Sequence, residues 1–194
     1  MTLWGGLDLA RRLDHSALII LELDNGVLHQ VGEKIWGHVD YSVVFNDIEN
    51  AQNKHKMNRI GYDRNGVGDG LEHLMKPKHV FYPIITTNQS KVQMINLLNG
   101  LIQKEILRLQ RGTELEKEMS EQELDITDAG NIQYRHPSGK HDDLFWALCY
   151  ACYTVSPYLT GFIKPKMSVA RNDFRDNLDE KAEEEIQEEL MYEI

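Results

Sequence analysis

The segment Ala17–Leu23 (ALIILEL) is almost entirely aliphatic, and Asp24-Asn25-Gly26 joins it to a second β-rich run, Val27–Ile35. A short, continuous apolar run fits a strand buried inside a sheet, and an Asn-Gly turn fits a tight antiparallel reversal. With Leu3–Leu9 ahead of it, the chain is expected to open with three strands. Helices and strands then alternate. Tyr41–Lys54 has Val44, Ile48 and Ala51 at helical spacing, and Arg59–Asp63 is a short strand ended by Arg64-Asn65-Gly66. A helix is expected from that turn to Met75, then a strand over Val80–Ile85. Val92, Ile95, Leu98, Ile102, Ile106 and Leu109 step by three and four, which predicts one helix over Lys91–Leu109. An acidic helix over Thr113–Glu123 is expected next, then a hairpin of Leu124–Thr127 and Asn131–Tyr134 about Asp128-Ala129-Gly130. The last helix is Asp142–Val155, ended by Ser156-Pro157. Such an order implies an α/β fold: a mixed central sheet, three leading antiparallel strands followed by parallel strands, flanked by helices.

Charge decides less than it promises. The formal net charge of the 194 residues is −10, but ten acids against two bases lie between Asn172 and Ile194. The remainder is nearly neutral, so composition neither favours nor forbids a nucleic-acid partner. Residues 1–165 read as one domain and 166–194 as an acidic tail, helical or disordered. No apolar run approaches the roughly 20 residues that a membrane helix requires, and no basic segment precedes an apolar one at Met1–Gly6. Neither a membrane span nor a secretory leader is expected. Cys149 and Cys152 form a C-x-x-C in mid-helix without a second pair, which reads as two small buried residues. Trp4, Trp36 and Trp146 read as packing residues. Gly66-x-Gly68-x-Gly70 lacks the dinucleotide-binding spacing, and no P-loop motif occurs.

Three isolated acids sit at element ends. Asp8 closes the first strand, Asp63 closes the Arg59–Asp63 strand, and Asp142 and Asp143 open the last helix. Open α/β sheets place their sites outside such strand ends. On a helical wheel Asp143 lies about 100° from the centre of the apolar face and Asp142 about 160° from it. Asp143 is thus the better aimed at the sheet. Carboxylates converging there repel one another unless hard cations such as Mg²⁺ or Mn²⁺ neutralise them. Two such ions about 4 Å apart are suited to phosphodiester hydrolysis.

Gly6-Leu7-Asp8-Leu9-Ala10, Asp14-His15-Ser16-Ala17, Tyr62-Asp63-Arg64-Asn65-Gly66, Ser90-Lys91 and His136-Pro137-Ser138-Gly139-Lys140-His141-Asp142-Asp143 occur in that order. Together they resemble the nuclease domain of the large terminase subunit of tailed viruses, whose fold is RNase H-like and related to Holliday-junction resolvases. The resemblance spans nearly all of residues 3–155, and its most specific part is the His-Asp-Asp opening a helix. It implies an endonuclease using two Mg²⁺ or Mn²⁺ ions to cut concatemeric double-stranded DNA. Carried over, Asp8, Asp63 and Asp143 are the catalytic metal ligands, and Asp142 is an alternative ligand or a supporting partner. His141 would position water or touch the ion, or else be a solvated residue before a helix. Lys91 would touch the scissile backbone, or else be an ordinary helix-terminal lysine. Related resolvases often carry one more Asp three residues past the helix acid, where this chain has Trp146. Asp14 reads as a turn former. Phosphate contacts are expected from Arg64, Lys91, Arg135 and Lys140.

The same resemblance implies an ATPase motor domain, a portal and a small terminase subunit as partners, in the host cytoplasm at the procapsid. Met1 falls just before the first strand, so an excised nuclease domain is expected; otherwise the ATPase lies on another chain. Two alternatives remain: a junction resolvase or RNase H-type nuclease with the same acids, and a non-catalytic portal-docking module whose tail is the interaction arm.

Overall fold

The computed structural model describes residues 2–9, 15–65, 71, 73–75, 78–126, 132–135 and 141–159, with 124–126 and 132–135 described as backbone only. Six strands form one sheet in the order β5-β4-β1-β2-β3-β6. They are β1 (Thr2–Asp8), β2 (His15–Asp24), β3 (Val27–Gly37), β4 (Arg59–Asp63), β5 (Phe81–Ile84) and β6 (Leu107–Arg108). β1, β2 and β3 are antiparallel, β4 and β5 run parallel to β1, and β6 runs parallel to β3. The β2–β3 reversal falls at Asn25 (φ 49°) and Gly26 (φ 79°), the left-handed pair that an Asn-Gly turn supplies at low cost. The expected mixed sheet with three antiparallel leading strands is therefore present.

Strand alternation assigns the two faces. Trp4 of β1 and Ala17, Ile19 and Leu21 of β2 join the core beneath α4 (Asp143–Val155). Leu7, Leu18, Ile60 and Tyr62 point the other way, into the core beneath α1 (Tyr41–His55). With a period of two, Gly6, Asp8, Gly61, Asp63 and His15 all belong to the α4 face.

Helix α4 lies unusually close to that face. A Cβ built on Gly6 would stand 1.9 Å from the Ala147 carbonyl oxygen and 2.4 Å from the Ala151 nitrogen. One built on Gly61 would stand 2.0 Å from Thr154 Oγ1. Gly6 and Gly61 are register partners on neighbouring parallel strands, so together they form a side-chain-free bed for the helix. The far side of α4 is covered by α2 (Asn88–Gln103) and α3 (Glu114–Ser120). That enclosure is why every residue from Leu144 to Val155 is buried, where the sequence promised a single apolar face. Cys149 and Cys152 are buried free thiols within it, and Trp4, Trp36 and Trp146 are buried as expected.

Two helices differ from expectation. α2 begins at Asn88, three residues early, because Thr87 and Ser90 form a reciprocal capping box. It ends at Gln103, where Glu105 turns left-handed (φ 57°) and Leu107 pairs with Leu28 of β3. Ile106 and Leu109 keep the helical spacing but pack on the core from either side of β6. α3 stops at Ser120, and β7 (Glu123–Ile126) pairs antiparallel with β8 (Ile132–Arg135), giving the expected hairpin. Asp14, the Gly66–Gly70 turn, most of the helix expected to reach Met75, the hairpin turn, Lys140 and the acidic tail lie outside the described residues.

Candidate active site

The spacing of glycine and acid builds the site. In Gly6-Leu7-Asp8 and Gly61-Tyr62-Asp63 the acid comes two residues after the glycine, on the same face and on adjacent strands in register. Along α4, Asp143 precedes Ala147, the residue over Gly6, by one turn. Two strand residues advance about 6.6 Å. Four helical residues advance about 6 Å, so the two rises match. Because α4 runs antiparallel to β1, Asp143 arrives where Asp8 and Asp63 emerge.

The electrostatics agree with that geometry. Asp8 as a residue is only partly covered, but enough protein surrounds its carboxyl that burial pushes its pKa well above the usual carboxylate range. The charges of Asp143, Asp142 and Asp63 push it further, in that order, while Lys91 pulls the other way. Asp63 is fixed by two bonds: Oδ1 accepts the Asn65 amide at 2.9 Å, and Oδ2 accepts the Thr86 hydroxyl at 2.7 Å. Thr86 lies just past β5, so a third parallel strand end contributes to the site. Asp142 occupies the cap position of α4 without making a side-chain cap bond. Its Oδ2 instead accepts the Trp146 indole N–H at 2.9 Å, an i,i+4 contact. Lys91 stands over the Trp146 ring, its Nζ 4.4 Å from the centroid. Trp146 thereby links Asp142 to Lys91 at the place where related resolvases often carry a further Asp.

Sequence reasoning misses three contributors. Thr86 is one. His15 is the second: its donor nitrogen, one of His141 and a carboxylate oxygen of Asp143 all lie within 4.8 Å of one another. His141 Nδ1 is 3.5 Å from Asp143 Oδ2, long for a hydrogen bond but close to the spacing of two donors on one ion. His15 also meets His141 edge-on, with ring centroids 4.4 Å apart. Strand alternation from Ala17, Ile19 and Leu21 could have placed His15 on this face. The third is Glu118 of α3, buried at 3% exposure and bonded to the start of α4. No local sequence signal marks it.

Among the residues proposed from sequence, Asp8, Asp63, Asp142, Asp143, His141 and Lys91 meet at this one end of the sheet. Arg64 directly succeeds Asp63. Arg135 lies in β8, where only backbone is described. The clustered carboxylates, among them Asp8 with its raised proton affinity, form with two imidazoles an oxygen-rich donor set suited to divalent ions.

This is an RNase H-like architecture, with acids at adjacent strand ends facing a helix-borne acid. The family model for the terminase RNase H-like domain matches residues 5–154, and the chain belongs to that family. It is 27% identical over 168 residues to a probable terminase ATPase subunit of Haemophilus phage HP1, a match covering 76% of this chain. That match spans only 26% of the phage protein, so the chain corresponds to about a quarter of its length. Solved terminase structures share the fold, two of them as follows. The large terminase nuclease domain of Thermus phage P74-26 superposes with a TM-score of 0.70 at 19% identity, covering 84% of this chain and 83% of that one. The large terminase nuclease of thermophilic phage G20c with bound magnesium gives 0.69 at 20% identity, covering 78% and 80%.

Proposed function

We propose that this chain is a divalent-metal-dependent DNA endonuclease, the nuclease part of a packaging terminase that cuts concatemeric double-stranded DNA. The observation that carries the reading is the set of carboxylates acting on one another around Asp8, brought together by two in-register Gly-x-Asp strands and the start of α4. Asp8, Asp63 and Asp143 are the proposed ligands of two Mg²⁺ or Mn²⁺ ions, with Asp142 an alternative. When bound, such ions supply an activated water and charge stabilisation at the leaving oxygen.

The chain's own residues do the rest. Thr86 and Asn65 hold the Asp63 carboxylate in one rotamer, so little reordering is left to ion binding. Trp146 holds Asp142 beside Asp143. Lys91 places one positive charge above the acids, suited to an approaching phosphate. His141 and His15 add nitrogen donors next to Asp143. DNA contacts are assigned to Arg64, Lys91, Arg135 and Lys140, directed at phosphates without base readout. Residues 1–165 would form the nuclease domain and 166–194 an acidic tail. An ATPase motor domain, a portal and a small terminase subunit are the proposed partners, in the host cytoplasm. The relationship to a phage terminase ATPase subunit and the magnesium-bound fold relative support this assignment.

Incubating the protein with supercoiled plasmid in EDTA, Mg²⁺ or Mn²⁺ tests the proposal. Conversion to nicked, linear and shorter DNA with metal alone is expected, and its loss in Asp8→Asn and Asp143→Asn. Cleavage retained in both variants would refute the site assignment. Preferential cutting of branched DNA would favour a resolvase, and of RNA–DNA hybrid an RNase H. Plasmid binding without cutting under any metal would favour the docking module.

A further inference from the structure

Helix α4 carries Asp143, yet its own flank does not cap it. α1, α2 and α3 are each capped by the residue that precedes them: Asp40, Thr87 and Thr113 accept backbone amides in their own first turns. Asp142 makes no such bond; its Oδ2 accepts the Trp146 indole N–H instead. The amides of Leu144 and Phe145, the second and third residues of α4, are left for another acceptor. Glu118 supplies it from α3. Its Oε2 accepts the Phe145 amide at 2.9 Å, and its carboxylate also accepts the Leu144 amide.

A carboxylate is a costly choice there. Burial raises its pKa most, the Phe145 bond opposes that, the charge of Asp143 adds to it, and the net result is a pKa of about 7. A hydroxyl would cap with less penalty. What Glu118 adds is reach: a long side chain on one helix ties down the first turn of another, at its positive end.

We propose that Glu118 is a positioning residue for the nuclease reaction. By capping α4 from α3 it fixes where Asp143 stands relative to Asp8 and Asp63, taking the capping role that the Asp142 side chain does not fill. This inference rests on the nuclease reading above.

Glu118→Ala, Glu118→Asp and, as a control for simple destabilisation of the same helix, Leu115→Ala test it in the 194-residue chain. Three readouts are needed: hydrogen exchange at the Leu144 and Phe145 amides, Mn²⁺ titration by calorimetry, and plasmid cleavage kinetics. Glu118→Ala is expected to speed exchange at both amides, raise half-saturating Mn²⁺ about 10-fold and lower kcat about 100-fold, with KM for DNA little changed. Leu115→Ala should lower Tm while leaving Mn²⁺ half-saturation unchanged. Glu118→Asp keeps the charge but is one methylene shorter, so an intermediate loss, about 10-fold in kcat, is expected. That variant decides the matter if the alanine protein does not fold. Faster exchange with wild-type Mn²⁺ half-saturation and kcat would overturn the proposal, as would equal effects from Leu115→Ala. A wild type that binds Mn²⁺ but never cuts DNA would refute the nuclease reading instead, while the titration still tests Glu118.

Discussion

Replacing Gly6 with alanine adds one methyl group at the point where β1 touches α4. That methyl would stand 1.9 Å from the Ala147 oxygen, 2.4 Å from the Ala151 nitrogen and 2.9 Å from the Ala151 Cβ. Two of these are backbone atoms, so no rotamer change can relieve the clash. Reaching ordinary contact distance requires α4 to retreat by about 1.5 Å. Overpacking of this kind costs about 1–3 kcal/mol, which in a chain of this size lowers Tm by roughly 2–12 °C. The retreat is centred one turn from Asp143, so it draws that carboxylate away from Asp8 and Asp63. A displacement near 1 Å at a reacting centre costs about 100-fold in rate. Thermal unfolding in EDTA, monitored by circular dichroism, measures the first effect. Plasmid cleavage with Mn²⁺, at a temperature where both proteins are folded, measures the second. Gly32→Ala is the control, because the atoms nearest its new methyl are those of the Ile20 side chain, at 3.6 Å and beyond. A Gly6→Ala protein within about 1 °C of the wild-type Tm, with cleavage within about 2-fold, would refute the close-packed bed on which the site geometry depends.

The acids and imidazoles lead to four further outcomes. The Asp8 pKa is raised in the folded state, so its ionisation opposes folding increasingly as pH rises above the unfolded value; metal-free Asp8→Asn should therefore be more stable than wild type at pH 7 by thermal unfolding. In the wild type, metal at 100 times its Kd should add about 2.7 kcal/mol per ion, a rise in Tm of several degrees that Asp8→Asn loses. Glu118 has the same sign: its stability contribution is complete below about pH 4.5 and is lost as pH approaches about 7, so metal-free wild type should lose more stability than Glu118→Gln between those values. His15→Ala should weaken Mn²⁺ or Zn²⁺ binding about 10-fold in calorimetry and Mg²⁺ binding much less, since nitrogen donors favour the former; equal weakening would remove His15 from the donor set.

Much of this site could be read from single strands and helices. The repeated Gly-x-Asp at the ends of Leu3–Leu9 and Arg59–Asp63, and an acid opening the last helix, are local patterns. The sheet brings them together because β1 and β4 are in-register parallel neighbours. The wheel angle favours Asp143 over Asp142 as the acid aimed at the sheet; in the structure Asp142 accepts the Trp146 indole N–H along the helix, and both acids act on Asp8. The end of α2 was not legible, because Ile106 and Leu109 continue the helical spacing while the chain has already turned at Glu105 to pair with β3. Nor could periodicity reveal that α4 is enclosed on all sides, which depends on α2 and α3 covering it. Thr86 and Glu118 act through contacts 23 and 27 residues away in sequence, and each looks locally like an ordinary turn or helix residue.

Asp8, Asp63 and Asp143 are proposed to hold jointly the divalent ions that cut DNA. The most direct measurement is a crystal of the protein grown with Mn²⁺, with anomalous scattering recorded at the manganese edge. An anomalous peak about 2.1 Å from carboxylate oxygens of all three residues, absent in Asp8→Asn crystals, is the predicted result. Manganese bound elsewhere, or a peak that survives Asp8→Asn undiminished, would contradict it.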